Sequence, residues 1–515
     1  MGLSGKAGIA LLLAVLALAG LVVCVWMEIS RADGAASKGL GVPLDDSWIH
    51  FVYAKSFGTS LRLDYNPGQS ESGFTSLLWV ILLAPGVAAG VWPALWAKIL
   101  GYAALLGCAW LVFLIARTRG STTVAFAAAF VVAVDPLMSY AAMSGMETVP
   151  YALAMLLAAY ALVERKHRLL AGALAACAWA RPDGVILIAL VWLALAVERW
   201  PRKSAQASSG RGTGYALIVG VPLAAAAVWC AYNLAATGRP LSSSYYARAG
   251  GLPSAFSLTA LAHLSSETAQ TFPELGGLGS MALIAAGAVA AFRRAGAARM
   301  IPVVLLPPAM CVLMGGELMQ VIGGTFPGNR YLIPIFPLLV LLGAESARWA
   351  GELVRDGVAR RGGRAELAEP VVALLMIVAL TGLPSTHIEN IRSNAARFAA
   401  ACRDLREMQE AMGRWIRDNT PEQSTVCTFD AGAIRYLGER ETVDILGLNT
   451  ARFPTQDPAE VKKRCQFLVT YPKFSEALIA KTAAREIHSI DVPAATASAD
   501  RLMAAYDLRG VNHAD

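Results

Sequence analysis

The sequence predicts a mainly α, polytopic membrane protein of about eleven transmembrane helices, with a re-entrant or juxtamembrane helix near its start and a C-terminal extracytoplasmic α/β domain. Three observations carry this. Hydrophobic residues make up 56% of the 515-residue chain and charged residues only 16%, whereas soluble chains hold about 25% charged residues. Apolar runs recur up to residue 384, separated by short basic clusters. Beyond residue 385 the chain becomes polar, with strand-like runs between turns. The net charge of +7 is dispersed among those clusters, which suits topology signals and not a nucleic-acid surface.

Taken in order, residues 7–27 carry no charge and are long enough to cross a core of about 30 Å. Lys6 gives this run the start of a signal peptide, but it has no small-residue cleavage site and reads as a retained first helix. Further runs lie at 74–91, 95–116, 121–142, 148–163, 169–180, 184–197, 214–234, 278–292, 300–321, 331–347 and 369–384. Basic clusters stand at Arg117/Arg119, Arg165/Lys166/Arg168, Arg199/Arg202/Lys203/Arg211, Arg293/Arg294/Arg299 and Arg355/Arg360/Arg361/Arg364. All five fall in the cytoplasm if 74–91 dips into the membrane and returns, and Pro85, Gly86 and Gly90 weaken it as a straight span. The runs at 169–180 and 184–197 are short enough to be tilted or broken.

This divides the chain into a membrane body, 1–384, with a first external loop at 28–94, and an external tail, 385–515. Also outside are 142–148, 180–184, 235–277 and 322–330. The tail opens with an amphipathic helix over 390–419, followed by the strand-like runs "STVCTFD", "ETVDIL" and "CQFLVTY". Cys24, Cys108, Cys177, Cys230 and Cys311 fall in apolar runs as packing residues. Cys402, Cys427 and Cys465 lack metal-ligand spacing and allow one disulfide without requiring it. The absence of an internal repeat weighs against inverted-repeat transporters.

The external loops share one side of the bundle. In "VPLDDSWIHFVYAKSFG", two like charges, Asp45 and Asp46, stand side by side before a helix with Trp48, Phe51 and Val52 on one face. That helix is expected on the membrane surface. One aspartate can cap it, and Asp46 is better placed to do so, which leaves Asp45 to point into a cleft as the base. Glu71 reads as a solvated turn residue. "MSGMETVP" offers a capping box from Ser144 to Glu147; Pro150 favours a cap at Thr148, leaving Glu147 just outside the helix. In the "ARPDG" turn Pro182 and Gly184 are turn residues, and Arg181 and Asp183 can pair. Tyr245, Tyr246 and Arg248 share a long external loop, and Asn329 and Arg330 sit at the outer mouth of a helix. An external arginine runs against the charge bias. Its fork suits a phosphate of a lipid headgroup or lipid-linked substrate, although Arg330 could instead snorkel. Lys55 and Arg181 are the next cations in line. His50 and His263 have no partners at metal-ligand spacing, and no P-loop, dinucleotide, zinc-protease or serine-hydrolase motif is present.

Together, "DDSWIHFVYAKSF", "NPGQSESGFTSLLW", "SGMETVPYAL", "ARPDG", "SSSYYARAG", "GNRYLIPIFPLL" and "FDAGAIRYLGERETVDILGLN" resemble the GT-C glycosyltransferases that use polyprenyl-phosphate sugars, most closely the branch with mycobacterial cell-wall arabinofuranosyltransferases. The resemblance covers most of the chain, and relatives often carry Lys where Arg248 stands. It implies an inverting transferase of a bacterial inner membrane, with its active site and tail on the extracytoplasmic side. Asp45 or Asp46 would be the base, and arabinofuranose is one candidate sugar. Its partners would be a polyprenyl-phosphate-linked donor, a glycan, lipid or protein acceptor, and membrane lipids. No cofactor is required and no metal is indicated. The chemistry fits independently: a lipid phosphate is already a good leaving group, so a base and phosphate-holding cations suffice. The rival is a transporter or flippase using Asp45/Asp46 for a cation or proton, for which Glu317 is the main deep ionisable residue. A non-catalytic polysaccharide-binding scaffold would account for the tail and not for the acid pair.

Overall fold

The apolar runs become a helical bundle in the computed structural model. It describes residues 14–15, 18–23, 25–26, 40–199, 210–248, 278–293, 297–318, 330–362, 364–450, 457–493, 495, 498 and 500–511. Among these, four helices are long and apolar enough to cross a membrane: Pro93–Arg119, Gly214–Thr237, Ile333–Arg360 and the helical stretch Ala365–Asn419. Thr122–Val134 and Pro136–Met143 make a fifth if they are taken as one span bent by 51°. The bend has a clear cause. Pro136 cannot continue the first helix, and the Asp135 carboxylate accepts from Met138 N at 2.7 Å to start the second. Other apolar helices, such as Thr148–Val163 and His167–Ala180, are shorter, so length and composition do not establish eleven crossings.

Leu77–Ala88 has 12 residues. At 1.5 Å per residue it reaches only about 18 Å, short of a core of about 30 Å. The chain then turns at Gly90 (φ +77°) into Pro93–Arg119. One apolar core runs through the body, including Trp26, Leu105, Phe113, Tyr140 and Phe336. Small residues let its helices approach closely: a Cβ on Gly101 would lie 1.9 Å from the Ala142 carbonyl oxygen.

The helix Pro384–Leu405, a π turn at Arg406–Glu410 and Ala411–Asn419 lead into the tail. The tail is a five-stranded mixed sheet in the order β4-β3-β5-β7-β6. The three sequence-read strands are β3 (Thr425–Thr428), β4 (Glu441–Asp444) and β5 (Phe467–Thr470), with β3 parallel to both others. β7 (Leu502–Asp507) joins β5 antiparallel, and β6 (Arg485–Asp491) forms the outer edge. Alternate side chains feed two cores. Val426, Phe467, Val469 and Met503 meet Met408, Met412 and Ile416 on one face, and Cys427, Val443, Leu468 and Ala504 meet Val461 and Leu478 on the other. Of the three tail cysteines, Cys427 and Cys465 form the disulfide, and Cys402 is buried and free.

The tail docks on the loop that carries the acid pair. A small hairpin, β1 (Asp64–Asn66) and β2 (Gln69–Ser70), meets β4, and the Asn66 amide exchanges two hydrogen bonds of 2.9 Å with the Thr442 backbone. The Tyr65 hydroxyl donates to the Ala431 carbonyl at 2.6 Å. The helix after the acid pair is therefore covered by protein on two sides. Asp45–Ser60 is buried at every residue from Ser47 to Ala54, because body and tail cover it from both sides. Trp48, for example, contacts both Trp92 and Tyr436, with ring centroids 5.6 Å and 5.1 Å away.

Candidate active site

The acid pair begins the Asp45–Ser60 helix, with Leu44 at the N-cap. The expected division into a capping and a free aspartate is not what the structure has. Asp45 reaches across to the tail, where its two oxygens accept from the backbone N–H of Gly432 at 2.7 Å and Ala433 at 2.8 Å. It therefore holds the start of another helix, Ala433–Gly438. The approach needs glycine, since a Cβ at Gly432 would lie 2.2 Å from the Asp45 carbonyl oxygen. Burial, and then the neighbouring Asp430, push the Asp45 carboxyl well above the usual carboxylate range, against the pull of the two amides.

Asp46 has another environment. Its side chain keeps 28% of its exposure, and Oδ2 accepts from Arg330 Nη2 at 2.5 Å. Arg330 also donates to the Tyr331 hydroxyl at 3.2 Å and lies over that ring. Burial lowers the pKa of the guanidinium, but Tyr331 and Asp46 more than offset this, so it stays firmly charged. The snorkelling alternative gives way to an ion pair beneath the tail. Asp430, which follows β3, completes a group of three carboxylates. It accepts from the Tyr471 hydroxyl and from Gln409 Nε2, the latter at 2.9 Å. Burial raises its pKa, Tyr471 and Gln409 draw it back, and Asp46 adds a further rise.

Behind the pair, His50 lies one turn after Asp46, with Nδ1 3.0 Å from the Asp46 carbonyl oxygen. A carbonyl only accepts, so this nitrogen carries the proton. Nε2 then faces Glu147 Oε2 at 3.9 Å, both residues being buried. The capping box at Ser144 does not form, since the Ser144 hydroxyl donates to the Ala141 carbonyl; the helix starts at Thr148, and the N-cap is Glu147 instead of the expected Thr148, without a side-chain capping bond. Arg181 pairs with Asp183 at 2.8 Å, and its guanidinium lies 5.4 Å from the Tyr151 ring centroid and 4.7 Å from that of Tyr331. The Tyr331 ring thus links two arginines, one paired with Asp46 and the other with Asp183.

Solved structures with the same architecture place this site in context. The apo oligosaccharyltransferase of Archaeoglobus fulgidus superposes with a TM-score of 0.59 at 12% identity, covering 95% of this chain and 74% of that one. ArnT from Cupriavidus metallidurans bound to undecaprenyl phosphate gives 0.58 at 13% identity, covering 96% and 97%. The fold is of the GT-C type. A third structure, the Archaeoglobus enzyme AglB with an inhibitory peptide and a dolichol-phosphate, gives 0.56 at 13% identity, covering 94% and 73%. A domain of unknown function, DUF8728, matches residues 394–507. No curated protein matches the chain.

Within this GT-C fold the structure brings together Asp45, Asp46, Glu147, Arg181 and Arg330 of the sequence candidates. Lys55 stands apart, nine residues past Asp46 and so about 14 Å along the helix, where its Nζ lies 3.6 Å from Glu439. Tyr245 and Tyr246 belong to the short helix Ser243–Arg248, which is tied by Ser243 and Ser244 to Ser72 and Gly73. Asn329, His263 and the side chains of Arg248 and Glu317 lie outside the described residues. Sequence reasoning missed three members. Asp430 and Tyr471 sit in the tail, and His50 drew attention only for its lack of metal-ligand spacing, whereas its contacts are the Asp46 carbonyl one turn back and Glu147 of another segment. Among the described residues no three His, Cys, Asp or Glu side chains gather as a metal site.

Proposed function

We propose that the protein is an inverting membrane glycosyltransferase that moves a sugar from a polyprenyl-phosphate donor to an extracytoplasmic acceptor. The observation that carries this reading is the Asp46–Arg330 pair, set where the tail meets the body of a GT-C fold. The AglB and ArnT structures hold dolichol-phosphate and undecaprenyl phosphate, and a donor of that class suits Arg330 at the partly exposed Asp46, with Arg181 over the same Tyr331 ring.

In the proposed step the acceptor hydroxyl attacks the anomeric carbon as the bond to the phosphate oxygen breaks. The hydroxyl proton passes to Asp46, and polyprenyl phosphate leaves toward Arg330, with Arg181 behind it. Attack opposite the leaving group inverts the anomeric centre. Asp46 is the better base of the pair because its carboxylate is accessible, whereas both Asp45 oxygens are held by tail amides. When the donor phosphate takes up Arg330, it frees Asp46 to act as that base. Asp45 and Gly432 fix the tail over the centre. The domain division at residue 385 and the external placing of site and tail belong to the same proposal.

The test is to incubate the purified protein with a panel of polyprenyl-phosphate sugars, arabinofuranose included, and to follow release of polyprenyl phosphate. A transferase releases lipid phosphate from one donor and loses that release in Asp46→Asn. No release from any donor, with no binding of undecaprenyl phosphate, would count against the proposal.

A further inference from the structure

The Asp45–Ser60 helix has a second functional end. Between its C-terminal half and the tail helix Ala433–Gly438 lies an open cleft of about 620 Å³, lined in part by Lys55, Arg62, Tyr65, Arg435, Tyr436 and Glu439. The arginine across it is unusual for this molecule. The arginines shielded from solvent elsewhere are matched: Arg181 with Asp183, Arg348 with Glu345, Arg440 with the carbonyls of Arg417 and Thr420, and the partly buried Arg330 with Asp46. Arg435 has only its Nε engaged, donating to the Tyr65 carbonyl at 3.0 Å. Its terminal nitrogens make no hydrogen bond and have no carboxylate within 4.0 Å among the described residues. Burial pulls its pKa below the ordinary arginine value, and Tyr65, Glu439 and Glu441 only partly compensate. An open guanidinium fork facing a cleft is suited to an oxyanion, which it can hold through two charge-assisted hydrogen bonds. The bond from Nε fixes the plane of that fork, so its geometry is set before any ligand arrives. Lys55 faces the same space, its Nζ 5.2 Å from the Tyr436 ring centroid.

We propose that this cleft is an acceptor subsite that takes an oxyanion, a carboxylate or a phosphate, carried by the acceptor. The assignment rests on the reading of the Asp46 centre as the site of transfer. Lys55 lies about 14 Å along the helix from Asp46, too far for its ligand to be the departing donor phosphate. The group bound in the cleft is therefore a distant part of the acceptor, with Arg435 reading its charge and the rings of Tyr65 and Tyr436 offering surface beside it.

The test uses the full chain in phosphatidylcholine nanodiscs, titrated calorimetrically with trigalacturonate, with glycerol 3-phosphate, and with neutral galactotriose. At least one of the two oxyanion probes should bind, at least tenfold more tightly than galactotriose. Arg435→Gln should weaken that binding by roughly ten- to a hundredfold, the effect of losing a charge-assisted hydrogen bond, and Arg435→Lys should retain part of it. Lys55→Gln, at a half-exposed position, gives a second reading without touching the fork. Equal binding of charged and neutral probes, no binding of either oxyanion, or unchanged binding in Arg435→Gln overturns the subsite. Phosphatidylglycerol discs that abolish probe binding to the parent protein would assign the cleft to a lipid headgroup, which also overturns it. Asp46→Asn separates the two proposals, since it should keep probe binding while losing transfer. Transfer without selective probe binding removes the subsite alone, and probe binding without transfer from any donor removes its acceptor role.

Discussion

The two ends of the Asp45–Ser60 helix use charge in opposite ways. At the N-terminal end Asp45 is matched by tail amides and Asp46 by Arg330, and their neighbours are buried. At the C-terminal end Lys55 and Glu439 are each about half exposed, at 3.6 Å, and Arg435 is left open. Paired charges in a low-dielectric site interact strongly and hold geometry, while exposed ones are screened and exchangeable. The first arrangement suits bond-making and the second suits recognition.

The sharpest way to break that contrast is at the closed end. Asp46→Asn should lower turnover by about 10²- to 10⁴-fold, the usual contribution of a general base, with the melting temperature and undecaprenyl-phosphate binding kept; near-normal turnover would remove Asp46 as the base. Next in size is the clasp between loop and tail. Gly432→Ala forces a Cβ to 2.2 Å from the Asp45 carbonyl oxygen, and such overpacking costs about 1–3 kcal/mol. Thermal melting and proteolysis of the 40–70 loop should both register it, and a parent-like melt would show that the clasp is slack. Asp45→Asn should weaken the same clasp by removing the charge from two hydrogen bonds.

Protonation offers a third handle. Burial raises the Asp444 carboxyl from its ordinary 3.8 to about 6. A raised carboxylate pKa means that the folded state binds the proton more tightly, so the stability from this group is complete below about pH 4 and is lost as pH rises through about 6. Melts of the full chain from pH 4 to 8 should show this decline, and Asp444→Asn should flatten it. The smallest effect belongs to the open end, where Lys55→Ala should change stability by less than about 1 kcal/mol, as for other exposed pairs. A larger loss would mean that Lys55 holds the two layers together.

The periodic features were legible in the sequence. "STVCTFD", "ETVDIL" and "CQFLVTY" became β3, β4 and β5 because alternating or wholly apolar short runs bounded by turns have few other solutions. β6 and β7 were not legible: "REIHSID" is a charged edge strand and "LMAAYD" is rich in alanine, so neither carries a strand pattern. At the site, the proximity of Asp45 and Asp46 could be read directly, and so could the oddity of Arg330, an arginine outside the five basic clusters. Their partners could not, because Gly432 and Ala433 lie 387 and 388 residues from Asp45. Asp430 escaped notice since an aspartate after a strand is ordinary turn chemistry. The cover over the Asp45–Ser60 helix was hidden for the same reason, its second layer coming from the far end of the chain.

The Asn66–Thr442 exchange has one more consequence. β4 is an outer strand of the tail sheet, and a strand with open N–H and C=O groups is a template for pairing with other chains. Asn66 supplies one donor and one acceptor to Thr442, so the first loop acts as a shield against sticky self-association. The opposite edge, β6, protects itself with Arg485, Glu486, His488 and Asp491. A tail cut away from its membrane body would bare the β4 rim and be prone to join its neighbours into fibrous or amorphous aggregates, so the body serves its tail as a chaperone built into the same chain.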